Sequence, residues 1–367
     1  MTKRNRLLTA LLTLVALCAI LFSFASCGKD KYPEIKSSKK EATVVATLGG
    51  HDVKYELFRA YFSQMYSGKT SGMTEEEWNE AKTAVLREIA ELYATFDVAS
   101  ESGVDPYGSA INDEVKDLVR IMYEGGDVNG EYVGGFESRE EYKAALAEAN
   151  LSDAANRLIF RYSATQAALF DYLVKNYSNG AKDPTSLGDP ETFFNSDACT
   201  RGVWVAVFDD VIYYKDQTLQ GRAGARAKAA ELRDDLAGAT DYAAVRKALI
   251  AAHSDYILTD DEMNNGLYVT KNQGNSPLMR ALVADLFTLA PYACGPLREG
   301  PDGVYFAVGL PKDAADYNRE VFFELLIEEE WINRPIVEKA EAYLAGVSYT
   351  SAFPTFSAET IAELTVE

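Results

Sequence analysis

The side chains that could carry site chemistry in this 367-residue chain are few: two histidines, His51 and His253, four cysteines, and three acidic runs. Two histidines so far apart remove most His-based metal and triad chemistry. The cysteines are Cys18, Cys27, Cys199 and Cys294, with no CxxC pair for zinc. Cys199 and Cys294 read either as a disulfide or as two buried thiols. The runs Glu75–Glu77, Asp260–Glu262 and Glu328–Glu330 could hold Ca²⁺, but none has the DxDxDG spacing of an EF-hand loop, and charged helix faces account for them better. HExxH, GxSxG and Walker A sequences are absent. Gly125 to Gly135 reads as a glycine-rich loop that lacks the preceding strand and the GKS/GKT end of a phosphate cradle. What the chain has in plenty is tyrosine, 22 residues, suited to amphipathic contact surfaces.

Cys27 is placed by the leader that precedes it. Lys3, Arg4 and Arg6 open a basic region, and an apolar run follows from Leu7 to Phe24. This describes a secretory signal peptide. Ala25-Ser26 running into Cys27 resembles a bacterial lipobox, which implies cleavage before Cys27 and diacylation of its thiol. Phe24 stands where the lipobox usually has Leu. An uncleaved anchor or ordinary secretion is the other reading, because a mostly apolar run of this length nearly spans a bilayer. Every one of these readings puts the bulk of the chain outside the cytoplasm. Loss of the leader takes the formal charge from −20 to −23, which argues against nucleic acid as a partner. The 47% hydrophobic content fits globular packing, and the remaining 341 residues suffice for two domains. Residues 28–40, GKDKYPEIKSSKK, are a polar tether of net positive charge. They read either as a solvated linker or as a basic segment resting on anionic headgroups.

The elements fall into two textures. Thr43–Leu48 reads as a strand, Gly49-Gly50 as a turn, and Tyr55–Tyr66 as a helix. Thr74 with Glu77 is a capping box opening a long helix whose stripe Val85, Ile89, Leu92, Phe96, Ala99 ends at Gly103. Further helices cover Ser109–Tyr123, a stretch capped by Ser138, and a long one capped by Ser152. Residues 178–191 are a linker by composition. Beyond it, Gly202–Phe208 is a strand, Leu219–Ala237 and Asp241–His253 are helices, Gly266–Val269 a strand, and Ser276–Leu289 a helix. Gly295–Leu297 and Val304–Leu310 are two further strands. Val321–Ala345 reads as one amphipathic helix bent at Pro335, and Val347–Phe353 as an edge strand.

In this second texture Ala229–Asp255 resembles the parvulin helix pair that ends in a Ser-acid loop. Pro277–Pro291 resembles the parvulin helix after its glycine-rich strand, and Cys294-Gly295-Pro296-Leu297 with Gly303–Val308 resembles the closing hairpin. The first half is similar to the helical domain of SurA and of PrsA-type foldase lipoproteins. The resemblance lies in the order of weak motifs and covers nearly all of the mature chain. It implies an α+β protein: a helical SurA-N-like chaperone domain, a parvulin-like β-α-α-β-α-β-β domain, and a C-terminal helix returning to the helical domain. The implied boundaries are 1–26 signal peptide, 27–41 lipidated tether, 42–178 helical domain, 179–199 linker, 200–311 parvulin-like domain, and 312–367 C-terminal helix and strand packing on the helical domain.

The same resemblance implies a peptidyl-prolyl isomerase site with its polar centre gone. The first family histidine falls on Val203 or Trp204, the residue after Ser254-Asp255 is Tyr256, and Tyr305 stands in the place of the second histidine. His253 lies where the family has no catalytic residue. The residues lining the proline pocket map to Leu278 and Leu282, which read equally as groove or core, whereas Phe287 and Phe306 read as core. An X–Pro bond turns over a barrier of about 18–20 kcal/mol, lowered by oriented dipoles around a twisted amide in a dry site. Two phenols and an indole N–H are poor material for that. Three functions therefore stand: a lipid-anchored extracytoplasmic folding chaperone binding unfolded or proline-containing polypeptides; an active isomerase with an atypical centre; and a surface lipoprotein that binds a peptide, glycan or envelope partner. The partners expected are such polypeptide clients and, through acylated Cys27, a lipid bilayer. None of the three calls for a cofactor or a metal.

Overall fold

The computed structural model describes residues 32–66, 73–128, 131–136, 138–178, 187–208, 221–245, 266–274, 276–300 and 303–353. Cys27, His253 and Tyr256 lie outside them. The fold is α+β, with mixed helix and small antiparallel sheets, and the chain divides into two units, 1–181 with 334–367, and 182–333.

The first unit begins where Gly49 and Gly50, both at positive φ, turn β1 (Val44–Leu48) into β2 (His51–Lys54). Helices α1 (Tyr55–Tyr66) and α2 (Glu75–Ser102) follow. Thr74 caps α2 as its sequence implies: the Glu77 N–H donates to its hydroxyl (3.2 Å) and its own N–H to the Glu77 carboxylate (2.6 Å). Gly103, at φ +100°, ends the helix. Val85, Ile89, Leu92, Phe96 and Ala99 are all buried. Helix α3 (Ser109–Glu124) leads into the stretch read as a glycine-rich loop. That stretch is a hairpin instead, β3 (Gly125–Val128) paired antiparallel with β4 (Glu131–Gly134). Asn129-Gly130 between the two runs is the overlooked hairpin signal. Ser138 and Ser152 cap α4 (Arg139–Glu148) and α5 (Asp153–Ser178) by accepting from Glu141 N–H and Ala155 N–H.

The second unit opens inside the stretch assigned to a linker. Asp189 accepts from Thr192 N–H and Pro190 takes the first helical position of α6 (Pro190–Asn195), which buries Phe193 and Phe194. The sheet comprises β5 (Cys199–Phe208), β6 (Leu267–Thr270), β7 (Arg298–Glu299) and β8 (Gly303–Leu310), in the order β6-β5-β8-β7, all antiparallel. The strand expected at Gly295–Leu297 thus lies further on, as β7; before it Cys294 forms an isolated bridge to Val308 of β8, with Gly295 N–H donating to Ala307 O (2.7 Å). Helix α7 (Gly221–Leu236) covers one face of the sheet and α8 (Pro277–Leu286) the other. Of the predicted helix Asp241–His253 only the start is described, with Asp241 capping Ala244 N–H.

The final helix, read as Val321–Ala345, runs without a break over Arg319–Ala345 but in three parts. These are α9 (Arg319–Ile327), a π-helical stretch Glu328–Asn333, and α10 (Arg334–Ala345). The irregularity therefore precedes Pro335, whose ring and missing N–H disrupt the bonds of the turn before it. Residues 312–333 also pack differently from the domain reading. Phe322 of α9 sits edge-on to Phe194 of α6 (4.7 Å), and α9 belongs to the sheet-bearing unit. From Arg334 the chain rejoins the first unit: α10 buries Ile336 and Ala340, and β9 (Ser348–Tyr349) pairs antiparallel with β1.

Candidate functional site

Strand alternation sorts the predicted site residues. Val203 pairs with Val308 and Val205 with Phe306, and this side chain set packs on Ala225, Ala229 and Leu232 of α7. Trp204 pairs with Ala307 and Ala206 with Tyr305, which point to the opposite face, under α8. Val203 is therefore an interior residue of the α7 face and does not join the other candidates. Trp204, Tyr305, Leu278 and Leu282 do share one face. Leu282 is fully buried and belongs to the core with Val283, Leu286 and Ala307. Leu278, Trp204 and Tyr305 are half-buried at its margin. Phe306 is fully buried on the α7 face and Phe287 is partly buried.

Two local features hold this face. Gly202 lets α8 approach β5: a Cβ there would collide with the Leu286 side chain and lie 2.8 Å from Val308 O. Asp285, buried in α8, receives two bonds from Arg298 of β7, Nε to Oδ2 at 2.9 Å and Nη2 to Oδ1 at 2.6 Å. The carboxylate on the covering helix is thus held by a guanidinium. The polar groups the candidate residues bring to this face are the Tyr305 hydroxyl and the Trp204 indole N–H. Burial pushes the Cys199 and Cys294 thiols up to about 11, they are free rather than paired, and neither is a ready nucleophile.

A cavity of about 420 Å³ opens elsewhere in the same unit, lined by Arg201, Tyr242, Tyr292, Lys312 and Asp316 among others. Its charges are engaged internally. Arg201 Nη1 donates to Asp316 Oδ2 (2.8 Å) and Pro311 O (3.0 Å), and Lys312 Nζ donates to Phe194 O (2.8 Å) and Ser196 O (2.6 Å). Among the described residues no three His, Cys, Asp or Glu side chains are grouped to hold a metal, and no helix is long and apolar enough to cross a membrane.

The first unit holds a polar cluster that sequence reasoning missed. His51 Nε2 lies 2.9 Å from Asp97 Oδ2, the same oxygen that accepts from the Tyr343 hydroxyl, and the His51 ring stacks on Tyr93 at 4.6 Å. Its members come from β2, α2 and α10, so no local spacing could announce it.

Among solved structures, the foldase protein PrsA from Streptococcus pneumoniae matches 88% of this chain and 100% of its own at 11% identity, with a TM-score of 0.28. That score is too low to carry function from one protein to the other. No protein-family model matches the chain, and no curated protein does.

Proposed function

We propose that the chain is a lipid-anchored extracytoplasmic folding factor that binds unfolded or proline-containing segments of exported proteins, with its sheet-bearing unit serving as a binding body rather than an isomerase. The observation that carries this reading is the composition of the α8 face. Leu278, Trp204 and Tyr305 offer a half-buried apolar and aromatic margin, while the one carboxylate of the covering helix, Asp285, is held by Arg298. Such a surface can gain roughly 25 cal/mol per Å² of apolar area covered by a client. Among the described residues, the candidate positions Trp204, Leu278, Leu282 and Tyr305 supply no ionisable pair to orient charge around a twisting amide. Anchoring through Cys27, part of the same proposal, would keep the binding body where exported chains emerge unfolded.

Two assays on the full chain test this. In aggregation assays with a thermally unfolding client, substoichiometric to equimolar protein should suppress light scattering; unchanged scattering at equimolar protein would count against client binding. In a protease-coupled assay on a proline-containing peptide, turnover should stay near the uncatalysed rate. Robust turnover abolished by Tyr305→Phe would establish the atypical isomerase instead.

A further inference from the structure

The stretch after Cys27, read from sequence as a tether through residue 41, is from Tyr32 onward part of the folded first unit. Arg157 Nη2 donates to Tyr32 O (2.5 Å), Ile35 N–H to Asp153 Oδ2 (2.8 Å), and the Ser37 hydroxyl to Glu56 Oε2 (2.5 Å). Ala42 N–H to Ser38 O and Thr43 N–H to Lys40 O then close a turn. Lys36, Lys39 and Lys40 are exposed on this fixed segment. Among the described residues none of the three has an ion-pair partner. Glu41, the acid beside them, is taken by Ser38 N–H (2.7 Å) and Arg59 Nη2 (3.1 Å), and these bonds hold its carboxyl below the ordinary range against the opposing effect of burial.

We propose that the Lys36–Lys40 segment is a docking surface for anionic phospholipid headgroups, which fixes the side of the helical unit turned toward the bilayer. Two observations choose this occupant. The first is charge: three unpaired cations within five residues stand out in a chain of formal charge −20. The second is position. Cys27 precedes Tyr32 by five residues, at most about 18 Å of extended chain, so an acyl group on Cys27 holds a segment of fixed geometry at the headgroup layer rather than trailing a long leash. Each lysine near such a surface is attracted by an amount that falls off within a Debye length. This rests on the reading of Cys27 as the lipid anchor.

The test is acetylation footprinting of the full chain, made with its leader in a bacterial host and reconstituted on phosphatidylcholine vesicles with or without phosphatidylglycerol. On anionic vesicles, labelling of Lys36, Lys39 and Lys40 should fall about fivefold, while exposed Lys175 is unchanged. Salt at about 0.5 M, where the Debye length shrinks to roughly 4 Å, should restore it. A K36E/K39E/K40E variant should still float with both vesicles but lose its preference for the anionic ones. Flotation with both vesicles and equal lysine labelling on each overturns the docking surface alone. Failure to float with either overturns the anchor as well.

Discussion

His51 and Tyr343 meet on a single oxygen of Asp97, one through its Nε2 and the other through its hydroxyl. Three elements far apart in sequence are joined there: the β-hairpin, the long central helix and the C-terminal helix. Burial, and then the Asp97 carboxylate, push the Tyr343 phenol up, so it stays a donor at all ordinary pH values. Tyr343→Phe and Asp97→Asn should each cost about 1–2 kcal/mol, the range for a charge-assisted bond at a partly exposed site. Urea unfolding of the full chain measures this. In the double variant the losses should be well short of additive, because both remove the same bond; simple additivity would mean the bond contributes nothing.

The π-helical stretch holds a carboxyl with a raised pKa. Burial, then the charges of Glu329 and Glu324, push Glu328 up to about 7 from an ordinary 4.5. The folded state therefore binds a proton that the unfolded state releases between those values. Stability contributed by protonated Glu328 is full below about 4.5 and lost as pH rises toward 7. Glu328→Gln should remove that slope and stabilise the protein at pH 8 by about 1–2 kcal/mol, allowing for solvent screening of a half-buried group. Denaturation curves at pH 5 and pH 8 give the two numbers, and an equal effect at both would contradict the assignment.

Leu278 and Leu282 lie one turn apart on α8 yet should respond differently to truncation. Leu282 is fully buried, so Leu282→Ala should cost about 2–5 kcal/mol through lost burial and a residual cavity. Leu278 sits at the margin, and Leu278→Ala should cost about 1 kcal/mol or less of stability. Its effect should appear in client binding. Parallel thermal melts and aggregation assays separate the two; a Leu278→Ala protein with full holding capacity would remove that residue from the proposed binding face.

Gly202 tests the packing of α8 on the sheet. An added methyl meets Leu286 and the carbonyl of Val308. Since Leu286 can rotate but the backbone oxygen cannot retreat easily, Gly202→Ala should destabilise by about 1–3 kcal/mol. Denaturant midpoints provide the comparison.

Much of this architecture was legible in the residues. The Thr74–Glu77 capping box, the Gly49-Gly50 turn and the α2 stripe each depend on neighbours within a few positions, and local physics decides them. The alternation along Val203–Phe208 likewise sorts Trp204 from Val203 once one face is known. The failures have a common cause. Asp189-Pro190 is a helix start as well as a loop composition, and only burial of Phe193 and Phe194 settles which it is. The polar composition of residues 32–40 looks solvated until Arg157, Asp153 and Glu56, the first two more than a hundred residues away, bond to Tyr32 O, Ile35 N–H and the Ser37 hydroxyl. Glu328–Glu330 reads as a charged helix face, but Glu329 is buried and accepts from Asn272 Nδ2 at 2.5 Å. Partners brought together by the fold leave no local pattern.

The Thr350 hydroxyl donates to Val44 O across 306 residues of chain, and α10 buries Ile336 and Ala340 in the first unit. A polypeptide translated from its amino end presents β1 and the apolar stripe of α2 long before either closing element exists. Contacts so distant in sequence close slowly and leave sticky surface waiting. Until those elements arrive, this chain itself exposes the kind of apolar surface that it is proposed to bind in others.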